Sequence, residues 1–369
     1  MRRQVNFRRA IAARASWTGG LVCVCAFAPL AIAPALARSA EIQAGEIKPG
    51  GYAARADVRG FIAEMASDHA FDEGELRRLF VKVRYQPKVV AAMSRPVLAP
   101  PKWFEYAPQF LSAARIDGGV AFLREHEAVL QRAEREFGVP AEIIVAIIGV
   151  ETLYGRNTGS YRVIDALTTL AFDYPRRAWF FRGELKQFLL LCREQGVSPT
   201  DVKGSYAGAL GLPQFMPGSL RNYAVDYDAD GTIDLVKDPD DAIGSVANFL
   251  ARHDWQPGQP VIAPAVIELD TRDAVLGRID GGMSERRSLD TWALDGVSGF
   301  DLPAGLTPDP AGLLMLEEAG GPSYWLVFNN WYVLTRYNRS RLYATAVWEL
   351  AQAIKRAAGA WHIDEATRR

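Results

Sequence analysis

Apolar residues at helical spacing dominate the chain, and one segment is apolar all round. Residues 141–156 (AEIIVAIIGVETLYGR) follow Pro140, which suits the first turn of a helix because its missing N–H needs no partner there. Residues 143–150 are apolar on every side, as is typical of a helix buried in a domain core. The pattern therefore predicts a core helix that starts beside Pro140.

Glu151 is the acid at the far end of this predicted helix. At 3.6 residues per turn it shares a face with Ile144, Ile147 and Ile148. Apolar surroundings disfavour the charged form of a carboxyl group, and an acid that keeps its proton near neutral pH can donate it to a leaving oxygen. Glu151 is therefore a candidate catalytic acid. The alternative is a solvated Glu at a fraying helix end.

The rest of the pattern predicts a predominantly α (α+β) fold. Helical spacing recurs in residues 58–90, 119–137, 184–194 and 342–356. Prolines bracket the β-forming run VIAPAVIEL, and small and glycine residues follow it, so a small, partly β insertion is expected at 256–323. Further β-forming and aromatic residues crowd 324–332.

The length of 369 residues exceeds what a single hydrophobic core usually supports, so several subdomains are expected. We expect a leader and helical domain at 38–137 and a core domain at 138–255. After the insertion at 256–323, residues 324–369 should return to the core and form a tail.

The N-terminal residues 1–37 read as a cleavable secretory signal. Five arginines precede an uncharged run, 17–37, which closes on an Ala-Leu-Ala sequence at 35–37. An uncleaved anchor is the alternative, but Pro29 and Pro34 disfavour a continuous apolar helix. Cys23 and Cys25 lack the upstream spacing of a lipidated cysteine, so no lipid anchor is expected.

Charge and cysteine content narrow the classes of partner and of stabilising bond. Residues 1–37 hold five of the 42 basic residues and none of the 43 acids, so without them the counts are 37 and 43 and the formal charge is −6. No basic block remains, which excludes nucleic acid as an expected partner. Only Cys192 would remain, so an internal disulfide is impossible and packing or a metal ion must stabilise the exported chain.

The acidic segment 226–234 (DYDADGTID) carries the strongest metal-binding pattern. Acids stand at positions 1, 3, 5 and 9 and glycine at position 6, as in an EF-hand loop that also uses the main-chain carbonyl of position 7. Position 12 is Lys237, where a bidentate Glu is expected, although Asp240 and Asp241 lie just beyond. The sequence predicts a structural calcium site. The alternative is an acidic turn in which Asp241 only caps a helix over 242–252.

Four motifs together carry a resemblance to one family. They are IIGVETLYGR, SYAGALGLPQFMP at 205–217, the DxDxDG loop with DAIGSVANFL after it, and TRYN at 335–338. In order and spacing they resemble the B-type lytic murein transglycosylases, over about 119–356. The resemblance implies a lysozyme-like core with a helical domain and a small β domain around it.

The resemblance also implies a reaction and a catalytic residue. Members of this family cleave the MurNAc–GlcNAc β-1,4 bond of peptidoglycan and leave 1,6-anhydromuramoyl ends. Glu151 falls on the family's single catalytic acid, which protonates the glycosidic oxygen and then acts as a base for the muramoyl C6 hydroxyl. No second carboxylate is needed, unlike in paired-acid glycosidases. A hydrolytic muramidase and a non-catalytic peptidoglycan-binding protein are the alternatives.

Seven positions match substrate-binding residues of the family: Ser205, Gln214, Tyr337, Asn338, Tyr343, Arg176 and Arg177. The first two are expected to bond the acid or sugar N-acetyl groups, the next three to face the cleft, and the arginines to meet anionic lactyl or peptide groups. Turn chemistry, buried core aromatics and solvated charges are the respective alternatives.

The family pattern further implies calcium ligands and a location. The ligands match Asp226, Asp228, Asp230, the carbonyl of Thr232 and Asp241, with Asp240 as an open alternative to Asp241. The expected partners are peptidoglycan glycan strands, with other cell-wall enzymes as further candidates. We expect a soluble periplasmic protein, exported by its signal and not lipidated.

Overall fold

The computed structural model describes residues 51–95, 100–299, 302, 306 and 309–367. The predicted signal at 1–37 lies outside these residues. The helices are α1 (Ala56–His69), α2 (Glu73–Val81), α3 (Pro87–Met93), α4 (Trp103–Tyr106), α5 (Ala113–Glu125), α6 (Glu127–Phe137), α7 (Ala141–Thr152), α8 (Val163–Asp173), α9 (Ala178–Glu194), α10 (Pro217–Tyr223), α11 (Pro239–Arg252), α12 (Arg272–Leu276), α13 (Leu289–Leu294), α14 (Asn329–Tyr337) and α15 (Arg341–Thr367). The strands are β1 (Tyr161–Arg162), β2 (Lys203–Gly204), β3 (Ile262–Ile267), β4 (Val297–Ser298), β5 (Gly312–Glu318) and β6 (Gly321–Val327).

The core helix predicted from the apolar run is α7, and it is confirmed. Every residue from Ile143 to Thr152 is buried, against α5, α6, α11 and α15. The helix ends at Thr152, four residues before the predicted end, because Leu153 and Tyr154 adopt left-handed φ values of 52° and 58°. Main-chain bonds from the Leu153 N–H to the last turn close the helix. Glu151 therefore stands in the final turn of a buried helix.

The strands form two antiparallel sheets. In the small one, β1 pairs with β2 so that Tyr161 faces Gly204 and Arg162 faces Lys203. The larger sheet has the order β4-β3-β6-β5. It has a core of its own, in which buried Trp292 packs with sheet residues and with Val275 of α12. This sheet ends at Val327, four residues beyond the predicted end of the insertion at 323.

The aromatic segment 324–332 divides at Phe328 between strand and helix. Local composition favours a strand throughout. Instead α14 begins at Asn329, and the buried amide of the next residue, Asn330, makes tertiary hydrogen bonds. Its Nδ2 donates to the carbonyls of Gln256 (2.8 Å) and Gln259 (3.0 Å), and its Oδ1 accepts from the Gln256 N–H. These bonds fix the start of α14 against the segment that leads into β3.

The last helix, α15, extends the predicted amphipathic helix and lies along α7. Its buried face includes Val347, Leu350, Ala351 and Ile354, as the spacing predicts. Within the described ranges, no helix combines the length and the apolar character that crossing a membrane requires.

Candidate active site

Glu151 and Tyr343 meet where α7 and α15 pack together. The Glu151 side chain lies in the last turn of α7, and the residue is only 3% exposed. Tyr343, in the first turn of α15 and 2% exposed, donates its hydroxyl to Glu151 Oε1 at 2.6 Å. The carboxyl is thus held between apolar helix surfaces by a phenol from the far end of the chain.

Arg115 of α5 approaches the same end of α7 from the other side. Its Nη1 donates to the carbonyl oxygen of Gly149 and, at 3.3 Å, to that of Val150. Burial lowers the pKa of the Arg115 guanidinium, while the nearby Tyr154 and Glu151 act to raise it. The guanidinium therefore fastens the carbonyl end of the helix and places a positive charge near the acid.

The turn after α7 is built around Tyr154. Its hydroxyl donates to the carbonyl of Arg115 at 2.7 Å, and its ring lies against glycines of α5 and α7. A Cβ on Gly149 would stand 2.5 Å from the Tyr154 hydroxyl, and one on Gly119 would stand 2.6 Å from it. Both positions therefore need glycine, and the close approach locks the end of α7 onto α5.

The segment around Ser205 and Gln214 contacts the chain just after this turn. Ser205 Oγ accepts the Ala209 N–H at 2.9 Å. Gln214, 5% exposed and with φ of 50°, donates its Nε2 to the carbonyls of Gly211 (2.9 Å) and Thr158 (3.2 Å). These bonds hold main-chain segments in place. They fit turn chemistry, which is the alternative to the predicted contact with substrate.

Tyr337 lies behind Tyr343 and is itself buried. It is 5% exposed, donates its hydroxyl to the Pro213 carbonyl at 2.6 Å, and stacks on Tyr343 with ring centroids 6.4 Å apart and planes 13° apart. Asn338 Oδ1 accepts the Ser340 N–H at 3.2 Å, as a cap before α15. The two tyrosines therefore connect Glu151 to the 205–217 segment through one layer of aromatic rings.

The predicted arginine pair occupies a single turn of 3-10 helix, Pro175–Arg177. Arg176 is exposed to solvent. The guanidinium of Arg177 lies over the Phe180 ring, 4.3 Å from its centroid. Arg177 also acts on buried Glu184, whose pKa burial raises to about 7 against the lowering effects of the Gly218 N–H and of Arg177.

The acidic loop between α10 and α11 gathers its carboxylates. Two sets of oxygens lie within 4.8 Å of one another, that of Asp226, Asp228 and Asp230 and that of Asp228, Asp238 and Asp241. Asp241 thus belongs to the cluster, whereas an oxygen of Asp240 lies 4.0 Å from the His126 ring.

The loop backbone is shaped to converge these groups. Asp226 accepts the N–H groups of Asp230 and Gly231, and Gly231 has φ of 95°, a turn that glycine adopts easily. The Thr232 N–H and hydroxyl both bond Asp230 Oδ1.

Asp241 is the buried member of this cluster, only 1% exposed. Burial raises its pKa, the Tyr227 and Asp234 N–H groups lower it, and the charges of Asp238 and Asp226 raise it again. Closely spaced carboxylates repel one another, and a hard divalent cation relieves that repulsion. The donor set therefore fits calcium.

The sequence does not predict the roles of three residues of these sites. Arg115 stands in SAARIDGG, where nothing local distinguishes it from a surface arginine. Tyr154 lies in the IIGVETLYGR motif, which assigns it no role, although the glycines near it are a usable signal. Asp238 caps α11 through the Asp240 N–H (2.8 Å) and also joins the acidic cluster, a double use that spacing alone does not reveal.

Comparison with known proteins identifies the family. Residues 53–352 match the family described as "Transglycosylase SLT domain". The chain belongs to this family. It is similar to the membrane-bound lytic murein transglycosylase B of Escherichia coli strain K12, with 39% identity over 321 residues that cover 83% of this chain and 84% of that protein. The predicted relationship to lytic murein transglycosylases is confirmed.

Solved structures support the same conclusion. The soluble lytic transglycosylase SltB1 from Pseudomonas aeruginosa has a TM-score of 0.77 at 48% identity, covering 82% of this chain and 99% of that one. Escherichia coli Slt35 in complex with calcium has a TM-score of 0.76 at 40% identity, covering 83% and 95%. SltB3 from Pseudomonas aeruginosa, in complex with NAG-anhNAM-pentapeptide, has a TM-score of 0.71 at 33% identity, covering 81% and 79%. A mainly helical fold with a small sheet, as predicted, is shared with these enzymes.

Proposed function

We propose that this chain is a lytic transglycosylase that cleaves the MurNAc–GlcNAc β-1,4 bond of peptidoglycan and leaves 1,6-anhydromuramoyl ends. The observation that carries the proposal is the buried Glu151 carboxyl with its Tyr343 hydrogen bond, in a chain of the transglycosylase family. The known complex of a relative with NAG-anhNAM-pentapeptide supports the anhydro product.

Glu151 serves as acid and then as base in this reaction. Its proton passes to the glycosidic oxygen as the bond between C1 and that oxygen breaks, and GlcNAc leaves as an alcohol. The C6 hydroxyl of the same muramoyl residue then attacks C1, and its proton returns to the Glu151 carboxylate. One carboxyl group suffices because an internal hydroxyl takes the place of water.

The surroundings of Glu151 suit a group that gives up and regains one proton. Burial against α7 and α15 disfavours the carboxylate, whereas the Tyr343 hydroxyl stabilises it by a hydrogen bond. The charge of Arg115 acts in the same direction as the phenol. Burial on one side and these two groups on the other therefore act in opposite directions on the charge of the carboxyl.

The test is Glu151→Gln in the full chain, with purified sacculi as substrate. We expect turnover to fall by at least about 10³-fold with little change in melting temperature. Glu142→Gln is the matched control, since Glu142 lies at the other end of α7 and pairs with exposed Lys355. Mass spectrometry of the wild-type digest should find anhydro ends. Reducing muramic ends would make the protein a muramidase, and unchanged activity of Glu151→Gln would overturn the acid assignment.

Of the remaining predicted substrate residues, only the two arginines keep a direct substrate contact in this proposal. Arg176 is free to meet anionic lactyl or peptide groups from its exposed position. We propose that Ser205, Gln214 and Asn338 shape the cleft and that the Tyr337 ring backs Tyr343. Arg177 is proposed to act beside Arg176.

We also propose that the acidic loop holds one calcium ion as a structural clamp between α10 and α11. The proposed ligands are Asp226, Asp228, Asp230, the Thr232 carbonyl and Asp241. The clustered carboxylates support the site, as does the calcium complex of Slt35. The bound ion would neutralise the loop and tie the two helices together.

Location and domain organisation complete the proposal. We propose export to the periplasm by a signal at 1–37, without a lipid anchor, and peptidoglycan glycan strands as the partner, with other cell-wall enzymes as candidates. The catalytic core is proposed to combine 138–255 with 324–369, the domain at 38–137 to brace it, and the unit at 256–323 to be inserted in it.

A further inference from the structure

A surface cavity of about 570 Å³ lies away from Glu151, where the end of α2 meets the two-stranded sheet. Its polar lining includes Lys82 and Arg84 after α2, Arg162 on β1, and Thr200 and Asp201 before β2. Three separate segments of the chain thus converge on it. Concave sites between subdomains are common places for ligands.

The cavity holds three cations and one acid. In the described part of the chain, no carboxylate lies within 4.0 Å of the Lys82 ammonium or the Arg84 guanidinium, and Arg162 reaches only the buried Asp165, at 3.5 Å. Arg162 Nη2 also donates to the main-chain carbonyl of Lys82 at 3.4 Å, which ties β1 to the segment after α2. The chain as a whole carries a formal charge of −1, so this concentration of positive charge is local. The charges of Arg84 and Arg162 both act on buried Asp165, so the positive charge of the cavity is partly compensated. The remaining positive charge favours an anionic ligand.

The cavity is joined to the acid by two neighbouring stretches of chain. One runs from Glu151 through Thr158 to Arg162, and the other runs back from Lys203 to Gln214, whose amide bonds the Thr158 carbonyl at 3.2 Å. A Cβ on Gly159 would lie 2.1 Å from the Gly204 carbonyl oxygen, so the two stretches pack backbone to backbone. These two stretches therefore connect the region of the acid with the rim of the cavity.

We propose that this cavity binds carboxylate groups on the peptide stems of the glycan strand that Glu151 cleaves. The inference rests on the proposed function and adds a second contact to it. Guanidinium groups match carboxylates in shape and charge, and peptidoglycan stems carry free carboxylates along a chain long enough to leave the glycan cleft.

An anionic membrane surface fits the cavity less well. Membrane attachment by charge generally uses clusters of roughly four to eight basic residues. Here three cations line a hollow and Asp201 offsets one of them. The hydroxyl of Thr200, which bonds Asp201 at 3.1 Å, also provides a polar group suited to a peptide.

The test measures binding in the inactive Glu151→Gln background, so that it does not depend on cleavage. Peptide-bearing glycan strands and strands stripped by an amidase are each sedimented with the protein, and the ratio of the two Kd values is compared. Adding Lys82→Ala and Arg84→Ala should reduce the preference for peptide-bearing strands about tenfold. Arg135→Ala with Arg252→Ala, two exposed cations on α6 and α11, is the control and should keep it.

Two further arms decide between outcomes. Amidation of the stem carboxylates should abolish the preference of the protein that retains Lys82 and Arg84. An unchanged ratio in the double variant would overturn the inference, as would binding to phosphatidylglycerol vesicles that the double variant alone loses. If the wild-type protein, which retains Glu151, does not cleave sacculi, the proposed function is refuted. The ratio of the two Kd values then still decides whether the cavity binds the peptide stems. Lys82→Gln with Arg84→Gln repeats the measurement should the alanine variant melt early.

Discussion

Tyr343 and Glu151 share a hydrogen bond of 2.6 Å although 192 residues separate them in the sequence. Neither side chain is exposed enough for water to replace the other as its partner. The bond therefore does two things at once. It orients the carboxyl, and it supplies a donor that becomes stronger when the carboxyl has given up its proton.

Removing this donor should slow the reaction more than it weakens the fold. We expect Tyr343→Phe to lower kcat by about 10- to 100-fold and the free energy of unfolding by only about 1 kcal/mol. The control is Tyr174→Phe, whose hydroxyl donates to the Met93 carbonyl at 2.9 Å. It should lose similar stability and keep its activity on sacculi. Full activity in Tyr343→Phe would show that the phenol is only a packing group.

Arg115 should prove to be a positioning residue. Arg115→Met removes the bonds to the Gly149 and Val150 carbonyls and the charge near Glu151. We expect a lower kcat, a loss of about 1–3 kcal/mol in unfolding free energy, and an alkaline limb of the pH–rate profile that moves to higher pH. Arg115→Lys should restore the position of that limb. A variant that loses stability but keeps the wild-type pH profile would argue for a purely structural role.

Calcium should stabilise the chain through the acidic loop. A chelator is expected to lower the melting temperature, because ligand at about 100 times its Kd adds about 2.7 kcal/mol to the stability. Calcium should restore the melting temperature better than magnesium, because a flexible site of several oxygen ligands suits calcium. Asp228→Asn should abolish the response, since Asp228 belongs to both carboxylate sets. Asp270→Asn, an exposed acid in the small β unit, is the control. Identical melting curves with and without chelator would refute the site.

Glu184 should make the stability fall as the pH rises. Its pKa in the folded protein is about 7, above the ordinary value of 4.5, because the side chain is buried. Folding therefore takes up a proton between these values, and the free energy of unfolding decreases as pH rises from about 4.5 through about 7, by up to about 3 kcal/mol.

Replacing this carboxyl isolates its effect. Glu184→Gln keeps an acceptor for the Gly218 N–H, so its stability relative to the wild type should improve between pH 5 and pH 8. Urea unfolding at both pH values measures the difference. Exposed Glu125→Gln should show no such change. A constant difference between wild type and Glu184→Gln across this range would contradict the raised pKa.

The sequence revealed what periodicity and local spacing encode. The apolar run predicted α7 and the position of Glu151 on it. The alternating acids predicted that Asp226, Asp228 and Asp230 would gather, but not that Asp238 would join them. Such local patterns do not predict features that depend on contacts between residues far apart in the sequence. The end of α7 depends on Tyr154 seated on glycines of α5, and the start of α14 depends on Asn330 bonding a distant main chain.

The same limit applies to the site. The family resemblance predicts that Tyr343 lies near the cleft. The hydrogen bond from its phenol to Glu151 depends on how α15 packs on α7, which the sequence does not reveal. Tyr337 is a buried ring with a satisfied hydroxyl, the alternative to a cleft residue, because its hydroxyl donates to the Pro213 carbonyl at 2.6 Å. Arg115 had no local signal at all.

Because Tyr343 lies so late in the chain, its hydrogen bond to Glu151 can form only late in biosynthesis. A polypeptide interrupted anywhere before Arg341 would contain the acid and the calcium loop yet lack the helix that completes the site. Chains that end before α15 would accordingly lack both the phenol that bonds the acid and the helix that packs along α7. The order of synthesis thus places assembly of the proposed site after that of the calcium loop.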